Sequence, residues 1–249
     1  MRIALLEDEP AQLSLFIHTI KRQLLIGHEP VVCVPFEFGE DLRRSLRRET
    51  FDLLVLDWNV PGLDGVELLQ WLRNRHESWV PVIMLSSRAS ECDVAVALGA
   101  GADDYVVKPF RPLELVARMR RLLTRQQPAA AAPVERFGTW VFDRTSSVVH
   151  VEAGESEAVQ QVMLTDSEFR LALALFRNMG RPVSRAYLLE CTGSNSEVPT
   201  RTLDTHIYRL RTKLGLHAAR GLRLLTVYGL GYRLERLPDV DTGKVSAWA

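Results

Sequence analysis

Cysteine is scarce in this chain. Cys33, Cys92 and Cys191 are odd in number and show no CxxC spacing, which argues against a structural zinc site and a disulfide framework. No long apolar stretch and no signal-like leader is present, so the expectation is a cytoplasmic protein that does not span a membrane. Net charge is absent too, with 31 Lys and Arg against 31 Asp and Glu. The balance conceals a polarity. Between Pro199 and Arg236 eight basic residues stand against two acids, Asp204 and Glu235. A glycine-rich turn is missing after the first apolar run, which ends in acids instead, and this speaks against a dinucleotide site. What remains is 249 residues with 47% hydrophobic content, enough for two modest cores and so for two domains.

Four short apolar runs end in polar residues. Ile3 to Leu6 precedes Glu7 and Asp8, Leu53 to Leu56 precedes Asp57, Val82 to Leu85 precedes Ser86, and Tyr105 to Val107 precedes Lys108 and Pro109. Between them lie helical patterns, such as Leu13, Phe16, Ile17, Ile20 and Leu24 on one face. Five such βα units predict a doubly wound parallel α/β sheet. The ends of its strands converge on one rim, where ligands sit at the point of strand reversal. Glu9-Pro10 also has the form of a helix start, which an acid pair can serve. Three carboxylates brought together there repel one another unless a hard cation with oxygen preference, Mg²⁺, holds them. A carboxylate beside Mg²⁺ and a lysine can attack an activated phosphoryl group. Asp57 stands alone at its strand end and is the candidate nucleophile, with Lys108 as the cation and Ser86 as a donor to a phosphoryl oxygen.

A proline-bounded alanine run, Gln126 to Pro133, reads as a linker. Strand signals follow from Phe137 to Leu164, interrupted by a polar hairpin at 152–157. Thr165-Asp166-Ser167-Glu168 has the form of a capping box opening a helix, and Ser184 caps a second one. A third helix begins at Pro199 or Thr200. Its apolar face carries Leu203, Ile207, Leu210 and Leu214, so the opposite arc exposes Arg201, Thr202, Thr205, Tyr208, Arg209 and Thr212. Cationic and hydroxyl groups on a helix that fits the major groove form a DNA-reading surface. Arg209 lies at the centre of the arc, placed for a base edge. Arg201 and Arg211 lie nearer its margins, placed for phosphates. Leu222 to Arg233 reads as a hairpin with glycines in its turn.

With these motifs together, residues 1 to about 124 resemble the receiver domain of a bacterial two-component response regulator. The rest resembles the winged-helix effector of the OmpR/PhoB family. The resemblance implies a flavodoxin-like receiver at 1–124, a linker at 125–135, an α+β winged-helix DNA-binding domain at 136–238 and a tail at 239–249. It implies a transcription factor and not an enzyme. Asp57 is then phosphorylated by a sensor histidine kinase, with Mg²⁺ held by Asp8, Asp57 and the backbone carbonyl of Asn59, and with Glu7 assisting. Ser86 and Tyr105 match the family's switch pair, and Lys108-Pro109 its lysine before a cis proline. Phosphorylation would draw Ser86 inward, let Tyr105 follow, and lead to a homodimer on double-stranded DNA, with RNA polymerase as a further partner. Asp104 and Arg118 match the cross-dimer ion pair. Three departures stand out. Val96 replaces the basic partner expected for Glu114, Tyr228 replaces a basic wing residue, and Cys191-Thr192-Gly193 replaces a tryptophan.

Overall fold

The computed structural model describes residues 1–24, 31–75, 78, 80–126, 133–152, 160–192 and 200–237. Most of the expected linker, most of the 152–157 hairpin, and the 239–249 tail lie outside the described residues, as do the side chains of Arg201 and Thr202. The chain divides into two compact units, Met1–Ser146 and Ser147–Ala249.

The first unit opens with β1 (Arg2–Leu6), α1 (Pro10–Gln23), β2 (Val32–Phe36), α2 (Gly39–Leu46), β3 (Leu53–Asp57) and α3 (Gly65–Asn74). It continues with β4 (Val82–Ser86), α4 (Glu91–Gly99), β5 (Asp104–Val107) and α5 (Pro112–Gln126). The sheet runs β2-β1-β3-β4-β5 and every pair is parallel. Strands β1, β3 and β4 are buried at every position, which is why they read as unbroken apolar runs and not as alternating ones. Alternation survives in which helices they meet. Ala4, Leu6, Leu54, Leu56, Val82 and Met84 pack with Leu42, Leu46, Leu68, Leu69 and Leu72 of α2 and α3. Ile3, Leu5, Leu53, Val55, Ile83 and Leu85 pack with Phe16, Ile20, Leu115, Val116, Met119 and Leu122 of α1 and α5.

The chain steps outward from β1 to β2 and then returns past β1 to β3, so strand order reverses between β1 and β3. Glu7 and Asp57 lie at that reversal. Helix α3 begins hard against it: a Cβ on Gly65 would sit 2.2 Å from the carbonyl oxygen of Asp57, so only glycine lets the helix start approach the strand end this closely. Asp64 caps α3 by accepting from the Glu67 amide at 2.8 Å. Strand β2 includes Pro35, which the outer position of β2 allows because a proline costs no ladder bond on an open edge. Helix α5 runs to Gln126, and so takes in the first residues of the linker expected at 125–135.

Four strands follow, β6 (Val134–Phe137), β7 (Trp140–Asp143), β8 (Val148–Val151) and β9 (Gln160–Met163); β6 pairs antiparallel with β7, and β8 with β9. The unit boundary falls between β7 and β8. Then come α6 (Asp166–Arg177), β10 (Pro182–Ser184), α7 (Arg185–Cys191), α8 (Thr200–Lys213), a 3-10 turn at Ala218–Arg220, β11 (Leu222–Val227) and β12 (Gly231–Arg236). The last three strands form a sheet ordered β10-β12-β11. The capping box forms: Thr165 Oγ1 accepts from the Glu168 amide at 3.3 Å, and Glu168 Oε2 accepts from the Thr165 amide at 3.0 Å. Leu203, Ile207, Leu210 and Leu214 are all buried, so α8 presents the expected face to the core. Strand β10 has only three residues and no sequence signature of its own.

Candidate functional site

The rim of the parallel sheet collects the acidic residues. Glu7, Asp8 and Asp57 each offer an oxygen, all within 4.8 Å of one another. Glu7 and Asp57 are buried and Asp8 is exposed, so the cluster opens to solvent on the Asp8 side. Lys108, reaching in from the end of β5, donates from Nζ to Glu7 Oε2 and to Asp57 Oδ2, each at 2.7 Å. The second oxygen of each acid faces backbone: Asp57 Oδ1 accepts from the Asn59 amide at 3.2 Å and Glu7 Oε1 from the Glu9 amide at 3.4 Å. Burial pushes the Glu7 carboxyl above its ordinary value, and the Lys108 bond does not fully offset it. Burial alone would lower the Lys108 ammonium, but its bonds to Asp57 and Glu7 outweigh that and hold it above its ordinary value. Three carboxylates against one ammonium leave an all-oxygen, negatively charged site. Such a donor set fits a hard divalent cation.

The switch candidates meet at one residue. Ser86 is fully buried and its Oγ accepts from the Arg88 amide at 3.1 Å. Tyr105 donates its hydroxyl to the Arg88 carbonyl at 2.7 Å, and its ring stands edge-on to Trp58, 6.4 Å away. The Arg88 guanidinium lies 4.7 Å from the Trp58 ring centroid and donates to the Asn59 side-chain oxygen at 3.1 Å. Arg88 thus joins the loop after Asp57 to both candidate switch residues. Sequence reasoning missed it, because an arginine two positions after Ser86 carries no local signal.

On the second unit Thr205, Tyr208, Arg209 and Thr212 are exposed on α8. Tyr228 is fully exposed at the turn between β11 and β12, where Leu230 N–H bonds the Val227 carbonyl and Gly229 adopts φ 73°. Arg211 departs from expectation. Its guanidinium is turned onto the hairpin, donating to the Leu224 carbonyl at 2.9 and 3.1 Å and to Thr226 Oγ1 at 3.3 Å. A phosphate contact from Arg211 would have to compete with those bonds.

Residues 3–120 match the response regulator receiver domain family, and residues 159–234 match the C-terminal domain of transcriptional regulatory proteins. The phosphate regulon transcriptional regulatory protein PhoB of Rhizobium meliloti is 37% identical over 94% of this chain and 98% of its own. This chain is a response regulator of the OmpR/PhoB family. The transcriptional regulatory protein TctD of Salmonella typhimurium is 36% identical over 96% of this chain and all of its own. The crystal structure of DrrB, an OmpR/PhoB homologue from Thermotoga maritima, is 30% identical over 94% of this chain and 98% of that one, with a TM-score of 0.42. PhoB and TctD are transcriptional regulatory proteins, and no helix among the described residues of this regulator is long and apolar enough to cross a membrane.

The residues expected at a dimer face pair within one chain of the regulator. Arg118 donates to Asp104 at 2.9 Å and to Glu114 at 2.7 Å, and Arg121 reaches Asp104 at 3.3 Å. Val96 is half exposed and offers Glu114 nothing polar. Glu114 finds its partner one turn along its own helix instead.

Proposed function

We propose that Asp57 is the phosphoacceptor of this regulator and that its phosphorylation controls DNA binding. The observation that carries the reading is the Lys108 ammonium held at 2.7 Å from both Glu7 and Asp57 beside the three-carboxylate cluster. An oxygen of Asp57 attacks the phosphorus of a phosphohistidine on a sensor kinase; the P–O bond forms, the P–N bond breaks, and the histidine leaves with its electron pair and takes up a proton. Glu7, Asp8, Asp57 and the Asn59 carbonyl would hold Mg²⁺, which supplies charge neutralisation for the transferring oxygens. Lys108 gives up part of its bond to Asp57 and meets a phosphoryl oxygen. Ser86 then donates to another, leaving the Arg88 amide, and the loop carrying Arg88 moves with the Tyr105 hydroxyl attached.

The consequence is a changed surface on α4, β5 and α5, through which two copies dimerise and set two winged helices on a direct-repeat DNA site. Residues 1–124 form the receiver, 125–135 the linker and 136–238 the DNA-binding domain; both family matches fall inside these bounds. Thr205, Tyr208 and Arg209 read the major groove, with Arg201 and Thr202 at the start of the same helix, and Tyr228 meets the minor groove or its walls. RNA polymerase is the further partner. Asp57→Asn keeps an oxygen ligand but loses the nucleophile, so intact-mass measurement after incubation with acetyl phosphate and Mg²⁺ should show no phosphoryl adduct on the variant and one on the wild type. Equal incorporation in both would overturn the assignment.

A further inference from the structure

Helix α8 carries a residue that a DNA-facing helix should avoid. Asp204 is a carboxylate more than half exposed, and phosphates repel it. The structure keeps it for another purpose. Asp204 Oδ1 accepts from Arg185 at 2.8 Å and from the hydroxyl of Tyr232. Arg185, the first residue of α7, also donates to the Tyr232 hydroxyl at 3.1 Å and holds its guanidinium 5.6 Å from that ring's centroid. Seven residues further along α8, on the same stripe two turns later, Arg211 brings its guanidinium to 6.0 Å from the same ring and bonds the Leu224 carbonyl of β11.

Tyr232 is itself fixed. It is buried in β12, paired with Val183 of β10 on one side and Thr226 of β11 on the other. The backbone of Arg185 donates to Leu230 in the hairpin turn at 3.1 Å. A Cβ on Gly231 would lie 2.1 Å from the Val183 carbonyl oxygen, so the glycine permits β10 and β12 to close on each other. The start of α7 and the hairpin are therefore one body, and α8 is attached to it at two points about 10 Å apart along its axis.

We propose that Asp204 is a positioning residue for DNA recognition: with Arg185, Tyr232 and Arg211 it clamps α8 to the wing at two points, so that both meet the duplex in one fixed orientation. The buried stripe of α8 seats it in the core, and the two polar attachments fix how the helix is set against the hairpin before DNA arrives. Base-edge contacts need that orientation, because a bidentate bond fails with small rotations, whereas phosphate contacts tolerate them. Arg185 also neutralises Asp204 against the phosphates. The inference rests on α8 being the base-reading helix.

The test compares the phosphorylated full chain on a duplex that the wild type selects from a random pool and on a scrambled duplex, well below every variant's melting transition. Tyr232→Phe keeps the ring beneath both guanidinium groups and removes the hydroxyl. It should weaken binding to the selected duplex about tenfold and to the scrambled one by less than about twofold, with an unchanged salt slope, since preorganisation and not charge is lost. Arg185→Ala and Asp204→Ala should each weaken selected binding, the double variant should fall no further than the worse single, and Arg185→Lys should recover part of the loss. Equal losses on both duplexes, strictly additive single losses, or tighter binding by Asp204→Ala would overturn the proposal. Arg209→Ala distinguishes the two levels. If it abolishes sequence preference while Tyr232→Phe leaves it intact, the clamp is wrong and the reading helix stands; if it leaves preference intact, α8 does not read bases and the clamp falls with it.

Discussion

Glu7 bears the cost of the acidic pocket. A buried carboxyl next to Asp57 ionises less readily than in water, and one ammonium from Lys108 does not restore it fully. The sign of the consequence follows from linkage. A carboxyl whose folded pKa lies above its unfolded value of 4.5 binds its proton more tightly in the fold. Its contribution therefore favours the fold at low pH and is lost as pH rises from about 4.5 through the folded value. Lys108, raised in the fold, contributes stability throughout this range and loses it only at strongly alkaline pH. In metal-free buffer, the wild type should lose melting temperature relative to Glu7→Gln as pH rises from 4.5 towards neutrality, and Mg²⁺ should restore the wild type more than the variant. Parallel pH curves for the two proteins would show that Glu7 is not the strained group. The members of this site were legible from sequence because each follows an apolar run; that Lys108 bridges two particular oxygens was not, because Glu7 lies 101 positions away from it.

At the scale of elements, helix α6 shows how a local signal acquires a distant partner. Thr165 and Glu168 form the capping box that their spacing predicts. Glu168 is almost wholly buried and also accepts from Lys213 at the end of α8, at 2.6 Å. Burial alone would raise the Glu168 carboxyl, but the bonds from Lys213 and Thr165 outweigh it and hold it below its ordinary value. Lys213→Met removes one donor and leaves the carboxylate buried, so unfolding in urea should report a loss of about 1–3 kcal/mol at pH 7. A lowered carboxyl contributes stability above its unfolded pKa of 4.5 and loses it as pH falls through the folded value. The difference between wild type and variant should accordingly shrink below pH 4.5. A pH-independent difference would place the effect in lost packing of the lysine stem.

For the whole molecule, the proposed dimer needs a source of attraction between two copies. Asp104, Glu114 and Arg118 already satisfy one another within one chain. Exchanging them for partners across an interface replaces ion pairs already made within the chain by equivalent ones, so the exchange itself adds little net attraction. The net attraction must then come largely from apolar surface, and Val96, Val107 and Leu113 are exposed on α4, β5 and α5. Charge still sets a veto. Arg118→Glu would place a third acid beside Asp104 and Glu114, so light scattering should find the phosphorylated variant monomeric while its phosphoryl incorporation is unchanged. A dimer of undiminished affinity would remove Arg118 from the interface.

Sequence alone determined the order of the βα units, the ends of the apolar strands where the acids and Lys108 sit, the capping box, and the buried stripe of α8. All of these depend on residues that are neighbours in the chain, through periodicity, strand burial and capping chemistry. Only the tertiary structure decided that Arg88 joins Trp58, Asn59 and Tyr105, that Arg211 turns onto the hairpin, and that Asp204 answers to Arg185 and Tyr232. These are choices among several chemically equivalent arginines. Which one meets which carboxylate or ring depends on how strands and helices far apart in sequence are brought side by side, and side-chain chemistry by itself does not distinguish them.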